Sequence, residues 1–271
     1  MASILTYGIN ATLYAALGAT LARRLWPRDA SPDPSPGWLR FALFVPLALQ
    51  GWILYQDVHG QGAMYLGVGT ALASIVWLSL LIYWGANFFY RLDGLQALVM
   101  PVAAVAALMP AFFPAMKPLT HVDAPYFRIH LTLSILAYSL FTIASLHGLL
   151  MAVLERSLHR GTLPAPLRNL PPLLTLEKLL FRIIFLGFLL LTASLITGML
   201  FSAGLFGQAL VLTHKTVFGI LSWLIFGGLL AGRALRGWRG RLALRWTVAG
   251  FLTLVLAYIG SKFVVEILLG R

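Results

Sequence analysis

The apolar residues of this chain neither alternate nor recur once per helical turn. They run on with little interruption over stretches of roughly 17 to 25 residues, the length of helix that crosses a hydrocarbon core about 30 Å thick. Eight such stretches fall near 3–22, 40–56, 63–84, 95–113, 126–153, 180–201, 214–232 and 246–268. They predict an all-α polytopic membrane protein, a bundle of about eight transmembrane helices forming a single integral-membrane domain over residues 1–271. Runs of this kind exclude the short alternating segments of an outer-membrane barrel. Asn10 and Thr12 interrupt the first stretch, and Pro101 and Pro110 the fourth, where a bundled membrane helix tolerates them.

Composition agrees. With 60% hydrophobic and 10% charged residues, the chain lacks the polar groups that a soluble domain needs to cover its surface. The net charge of +12 would suggest nucleic acid in a soluble protein, but here its placement decides. With the N-terminus outside, the inner connections collect Arg23, Arg24, Arg28, Arg40, Arg91, Arg156, Arg160, Arg168, Lys178, Arg182, Arg233, Arg236, Arg239, Arg241 and Arg245, fifteen of the twenty cations. The outer side keeps Lys117, Arg128, Lys215, Lys262 and Arg271. The positive-inside rule therefore predicts both termini outside, and the charge is topology, not nucleic-acid binding. Arg23 and Arg24 follow the first span and no cation precedes it, the reverse of a cleavable signal, so it stays as a helix.

Two inner connections carry repeated prolines. Residues 154–179, with Pro164, Pro166, Pro171 and Pro172, read as an ordered linker or docking surface that ends in an interfacial segment, Leu173 to Lys178. Ser31–Gly37, with Pro32, Pro34 and Pro36, is another linker. Trp26, Trp38, Trp84, Trp238 and Trp246, with Tyr83, Phe88, Phe89 and Tyr90, fall near span boundaries and read as interfacial anchors.

The absence of cysteine removes disulfides, thiolate metal sites and covalent c-type heme attachment. Chemistry must then rest on the six histidines, which ligate transition metals and titrate near neutrality. His59, His121, His130 and His214 lie towards the outer face, His147 deep in the fifth span towards the inside, and His159 in the inner connection. His130 and His147 are about 25 Å apart along one helix, too far to ligate a single iron. Tyr126, His130, Ser134 and Tyr138 recur every four residues, a polar face that a membrane helix turns towards protein or water. His130 is then either a packing residue or a metal or cofactor ligand.

His214 opens the seventh span beside Lys215 and is either an interfacial group or a second ligand. Two neutral imidazoles from different helices supply both axial positions of a heme iron, and Lys117, Arg128 and Lys215 suit its propionates as well as they suit lipid headgroups. His121 lies in Thr-His-Val-Asp, where Asp123 is near enough to orient an imidazole. His59 beside Asp57 is weaker, and His147 and His159 read as packing and surface residues. Lys262 and Glu266, four apart, read as an intrahelical ion pair. No Walker loop, dinucleotide fingerprint, zinc-protease helix or nucleophile elbow is present, so nucleotide-driven and hydrolytic chemistry has no support.

The stretch His130-Leu-Thr-Leu-Ser-Ile-Leu-Ala-Tyr138 resembles the histidine-led helix of the CcsA/CcmC-type cytochrome c assembly proteins. Lys215-Thr-Val-Phe-Gly-Ile-Leu-Ser-Trp223, Gly237-Trp-Arg-Gly240 and Ala257-Tyr-Ile-Gly-Ser-Lys262 follow the same family's order, so the resemblance covers roughly 120–265. Length, span count and Thr120-His121 are most similar to a bacterial inner-membrane branch of that family, close also to its HemX-type proteins. The resemblance implies a multi-pass protein of the bacterial inner membrane that binds or presents heme near the outer face, takes part in cytochrome c assembly and is not an enzyme. It implies non-covalent heme b with His130 and His214 as iron ligands and His121, Arg128, Lys215 and Tyr138 in the cofactor pocket. Membrane, heme, and cytochrome assembly or heme-synthesis proteins are the expected partners. The family's tryptophan-rich outer loop and its acid are not matched: Ser202–Thr213 contains neither. That departure supports a different reading, a cofactor-free scaffold or regulator of heme biosynthesis or of another membrane complex.

Overall fold

A computed structural model describes residues 3–25, 37–59, 63–88, 93–115, 117–119, 121–124, 126–161, 170–207 and 213–260. The elements in order are α1 (Ile4–Leu25), α2 (Gly37–Ala42), α3 (Phe44–Val58), α4 (Val68–Ala86), α5 (Asp93–Phe112), α6 (Phe127–His159), α7 (Leu173–Phe206), α8 (His214–Arg236) and α9 (Gly240–Val255), which passes into a π-helical turn at Leu256–Gly260. The protein is a polytopic membrane bundle of about eight helical spans, with the second span broken into α2 and α3. Pro46 explains the break, since it has no N–H to offer the carbonyl of Ala42. Among the described residues, six helices are long and apolar enough to cross a membrane, and Val99–Phe112 is a shorter apolar helix.

Two compact units divide the chain. The first comprises Met1–Pro118 with Val153–Leu173, and its core gathers Tyr14, Leu21, Leu43, Leu47, Leu80 and Met100. Here α4 meets α5 backbone to backbone. A Cβ on Gly69 would stand 2.4 Å from the carbonyl oxygen of Met109 and 2.5 Å from that of Phe113, so only glycine fits. Trp77 donates its indole N–H to the carbonyl of Leu47 at 2.8 Å. Asp57 accepts from the Tyr7 hydroxyl at 2.6 Å, which is where its carboxylate goes rather than to His59. The His59 ring stacks on Tyr55, 4.8 Å between centroids.

The second unit comprises Leu119–Ala152 with Leu174–Arg271. Phe141 of α6 stacks on Phe226 of α8 at 3.7 Å, and Ser222 donates to the carbonyl of Gly250, joining α8 to α9 at 2.9 Å. Glu177 of α7 and Arg233 of α8 form an ion pair of 2.6 Å, with the guanidinium also over the Phe181 ring and bonded to the carbonyl of Trp238. Gly237 ends α8 with φ of 66°, the left-handed conformation that releases the last carbonyls to a cap.

Several boundaries differ from expectation. Leu173 to Lys178 forms the first turns of α7, continuous with the span, because Pro171 and Pro172 stand just before the helix, where a missing N–H breaks no helical bond. With α6 running to His159, the two long helices reach 33 and 34 residues, about 50 Å each. The last span starts at Gly240, so Arg241 and Arg245 ride its first turns. Tyr83 is not an interfacial anchor, being 4% exposed in the first unit. Trp238 and Trp246 pack their rings over Gly232 and Gly228 of α8. Trp26, Phe89, Tyr90, Lys262, Glu266 and residues 31–36 and 162–169 of the two proline-rich connections lie outside the described residues.

Candidate functional site

The strongest polar constellation of the second unit is built on α6 and α7. Tyr126 is not part of the expected four-residue stripe: its φ is 66°, it is exposed, and α6 starts only at Phe127. Its carbonyl instead accepts the His130 amide at 2.8 Å, closing the first turn. His130, Ser134 and Tyr138 do share the face. The His130 Nδ1 lies 2.8 Å from the carbonyl oxygen of Ser194 on α7, and the Ser134 and Ser194 hydroxyls are 2.7 Å apart. A carbonyl only accepts, so Nδ1 carries the proton and Nε2 carries the lone pair. Nε2 has no hydrogen-bond partner among the described residues.

Gly198 completes this arrangement. A Cβ there would sit 3.0 Å from His130 Cε1 and 3.1 Å from Nδ1, so the ring rests directly against the α7 backbone. Half-buried, it is fixed in plane by Ser194 and in depth by Gly198. Ser194 and Gly198 escaped the sequence reading. Their spacing of four, which puts two small residues on one face of an otherwise bulky span, is the signal that could have found them.

Tyr138 is buried and donates its hydroxyl to the carbonyl of Leu254 at 2.6 Å, near the point where α9 widens into its π turn. An extra donor at a helical carbonyl is one recognised cause of such a change in the ladder. Lys215 lies over the ring of Tyr258 in that turn, 5.6 Å from its centroid. His214 is exposed and begins α8 directly after Thr213, whose hydroxyl accepts from the Thr216 amide at 3.4 Å. His121 is exposed with φ of 61°, and its carbonyl accepts from the Ala124 amide, forming a turn. The described partner of Asp123 is Arg128, at 3.5 Å, in an exposed pair.

His147 takes a packing position. It is 1% exposed, and its Nε2 donates to the carbonyl of Leu176 at 2.9 Å, so α6 is bound to the start of α7. His159 bonds its own turn through the carbonyl of Glu155. No cluster of three or more His, Asp or Glu side chains able to hold a metal occurs among the described residues. A two-histidine set suits an ion whose other ligands come from a porphyrin.

Comparison with known proteins bears on the same region. The chain is 31% identical over 242 residues to the inner membrane protein YpjD of Escherichia coli K12, covering 86% of this chain and 89% of that protein. It is similar over shorter reaches to cytochrome c biogenesis proteins CcsA, at 32% identity over 34% of this chain and 27% of the Gloeobacter violaceus protein. The Chlamydomonas reinhardtii CcsA is 28% identical over 52% of this chain and 39% of its own length. The likeness to the family's bacterial inner-membrane branch expected from span count and length thus holds, as does a multi-pass placement in the inner membrane. The profile of the cytochrome c assembly proteins matches residues 41–269, which takes in α3 as well as the whole of the His130 constellation, and the chain belongs to that family.

Proposed function

We propose that this protein handles heme in cytochrome c biogenesis, holding heme b non-covalently near the outer face with His130 and His214 as axial ligands. The observation that carries this reading is the His130 Nδ1 donation to Ser194, 2.8 Å long. Metal-bound histidines nearly always anchor the second ring nitrogen in this way, which fixes the tautomer and aims the other lone pair. Membership of the cytochrome c assembly family and the cytochrome c biogenesis role of the CcsA relatives support the same reading.

Heme supplies an iron with two open axial positions and two propionates. His130 offers Nε2 from a ring held by Ser194 and Gly198, and His214 offers an imidazole from the first residue of α8. Lys215 and Arg128 are the cations for the propionates, with Arg128 leaving an exposed pair that costs little to open. Tyr138 acts from behind, holding α9 to α6. His121 contributes from the exposed turn. The protein's work is binding and orientation, with no bond made or broken by these side chains.

The test is an absorption spectrum of detergent-purified protein after heme-replete expression. A Soret band with a bis-imidazole signature in oxidised and reduced forms is expected, and His130→Ala should abolish it while circular dichroism shows that the helices are retained. Wild-type protein that stays colourless with added heme would sink the ligand assignment. That outcome would favour the scaffold or regulator reading, which rests on the lack of tryptophan and acid in Ser202–Thr213 and on the exposure of His214. Crosslinking through residues 160–172 would then be expected to capture a heme-synthesis enzyme or another membrane complex.

A further inference from the structure

The first unit carries a polar face that heme handling does not use. Tyr7, Asn10 and Tyr14 follow one another on α1 at spacings of three and four, and Gln50 and Asp57 stand seven apart on α3, so each set lines one side of its helix. All five are 5% exposed or less. The Tyr7 hydroxyl donates to Asp57, and one turn further along α1 the Asn10 amide donates to the Gln50 side-chain oxygen. That second contact uses half of each amide. Asn10 Oδ1, Gln50 Nε2 and the Tyr14 hydroxyl are buried and have no hydrogen-bond partner among the described residues.

The remaining groups are complementary. One accepts, one donates, and the hydroxyl does either. Exchanging oxygen and nitrogen in both amides leaves the same count, one acceptor and one donor, so the conclusion does not depend on which way the amides point. A clasp that only packed α1 on α3 would be complete with the Asn10–Gln50 bond, and a phenylalanine at 14 would fill the same space. Acyl chains and the leucines of the core satisfy none of the three. A water molecule both donates and accepts, and a buried one needs two to four such partners.

We propose that α1 and α3 enclose a water site, with the bound water accepting from Gln50 Nε2, donating to Asn10 Oδ1 and taking the Tyr14 hydroxyl as its third partner. The first span is then held through a hydrated seam beneath the Tyr7–Asp57 bond.

The experiment uses full-length protein in lipid nanodiscs with 15N-labelled side-chain amides, and reads magnetisation transfer from water. The Gln50 amide should show a water cross-peak, with exposed Gln56 of α3 as the positive control. In parallel, Tyr14→Phe should lower Tm by several degrees, because it deprives a bound water of a partner. A Gln50 amide silent to water while Gln56 responds overturns the proposal. So does an unchanged or raised Tm in Tyr14→Phe, the behaviour expected when a dry, unsatisfied hydroxyl is removed.

Discussion

The two units solve the same problem, joining apolar helices where water gives no drive to pack them, with different residues. In the first, two glycines admit backbone, Gly67 facing the Cα of Ala115 and Gly69 the carbonyls of Met109 and Phe113, while Gly51 meets the Trp77 ring and Gly18 the Met100 side chain. In the second, glycine admits rings. Gly187 receives Phe141, Gly198 receives His130, Gly228 receives Trp246 and Gly250 receives Phe226. A backbone neighbour cannot step aside, whereas a ring can rotate or slide by a few tenths of an ångström. Gly67 and Gly69 are therefore the positions least forgiving of a methyl group, and the second unit keeps side chains at its contacts, where one of them is an imidazole.

The sharpest way to break this comparison is a pair of identical substitutions. Gly69→Ala should cost about 3 kcal/mol or prevent folding, since its Cβ would overlap two carbonyl oxygens. Gly250→Ala, whose Cβ would meet the Phe226 ring at 2.9 Å, should cost about 1 kcal/mol. Thermal unfolding in detergent measures both, and equal losses would show that the nature of the neighbour does not matter.

A charge provides the next contrast. Glu177→Ala would strand Arg233, whose side chain is 31% exposed, so the penalty should be about 2 kcal/mol rather than the larger cost of a fully buried orphan. Double substitution with Arg233→Met should recover most of it, and failure to recover would mean that the Phe181 and Trp238 contacts of Arg233 outweigh the ion pair. The smallest expected effect is Tyr138→Phe, about 1 kcal/mol for one lost hydrogen bond to Leu254. Hydrogen exchange should quicken over Leu254–Gly260 and stay unchanged in α1. If it does not, the hydroxyl does not hold the π turn.

Much of the fold was legible because length and hydropathy are one-dimensional signals. The eight apolar runs correspond to a bundle of about eight helices, six of which are long and apolar enough to cross a membrane among the described residues, and the distribution of arginine needed no coordinates. Helix ends were harder: α7 begins at Leu173 because two prolines stop short of it, and α6 outlasts its apolar run by a charged turn and a half in which Leu154 is still buried. His130 stood out through its repeat with Ser134 and Tyr138. Ser194 could not, since what it offers is a main-chain oxygen, and every residue has one. Asn10 was visible as an oddity, but its meaning depends on Gln50, forty residues away, and pairings of that kind are not written in any local pattern.

The lengths of α6 and α7 have a geometric result. To hide a rod of about 50 Å inside a slab of about 30 Å, it would have to lean by more than 50° from the normal, beyond the roughly 40° that membrane helices reach. Both must therefore reach beyond the hydrocarbon core, and the turns of α6 that carry Glu155, Arg156 and His159 are a stiff extension of the helix that bears His130.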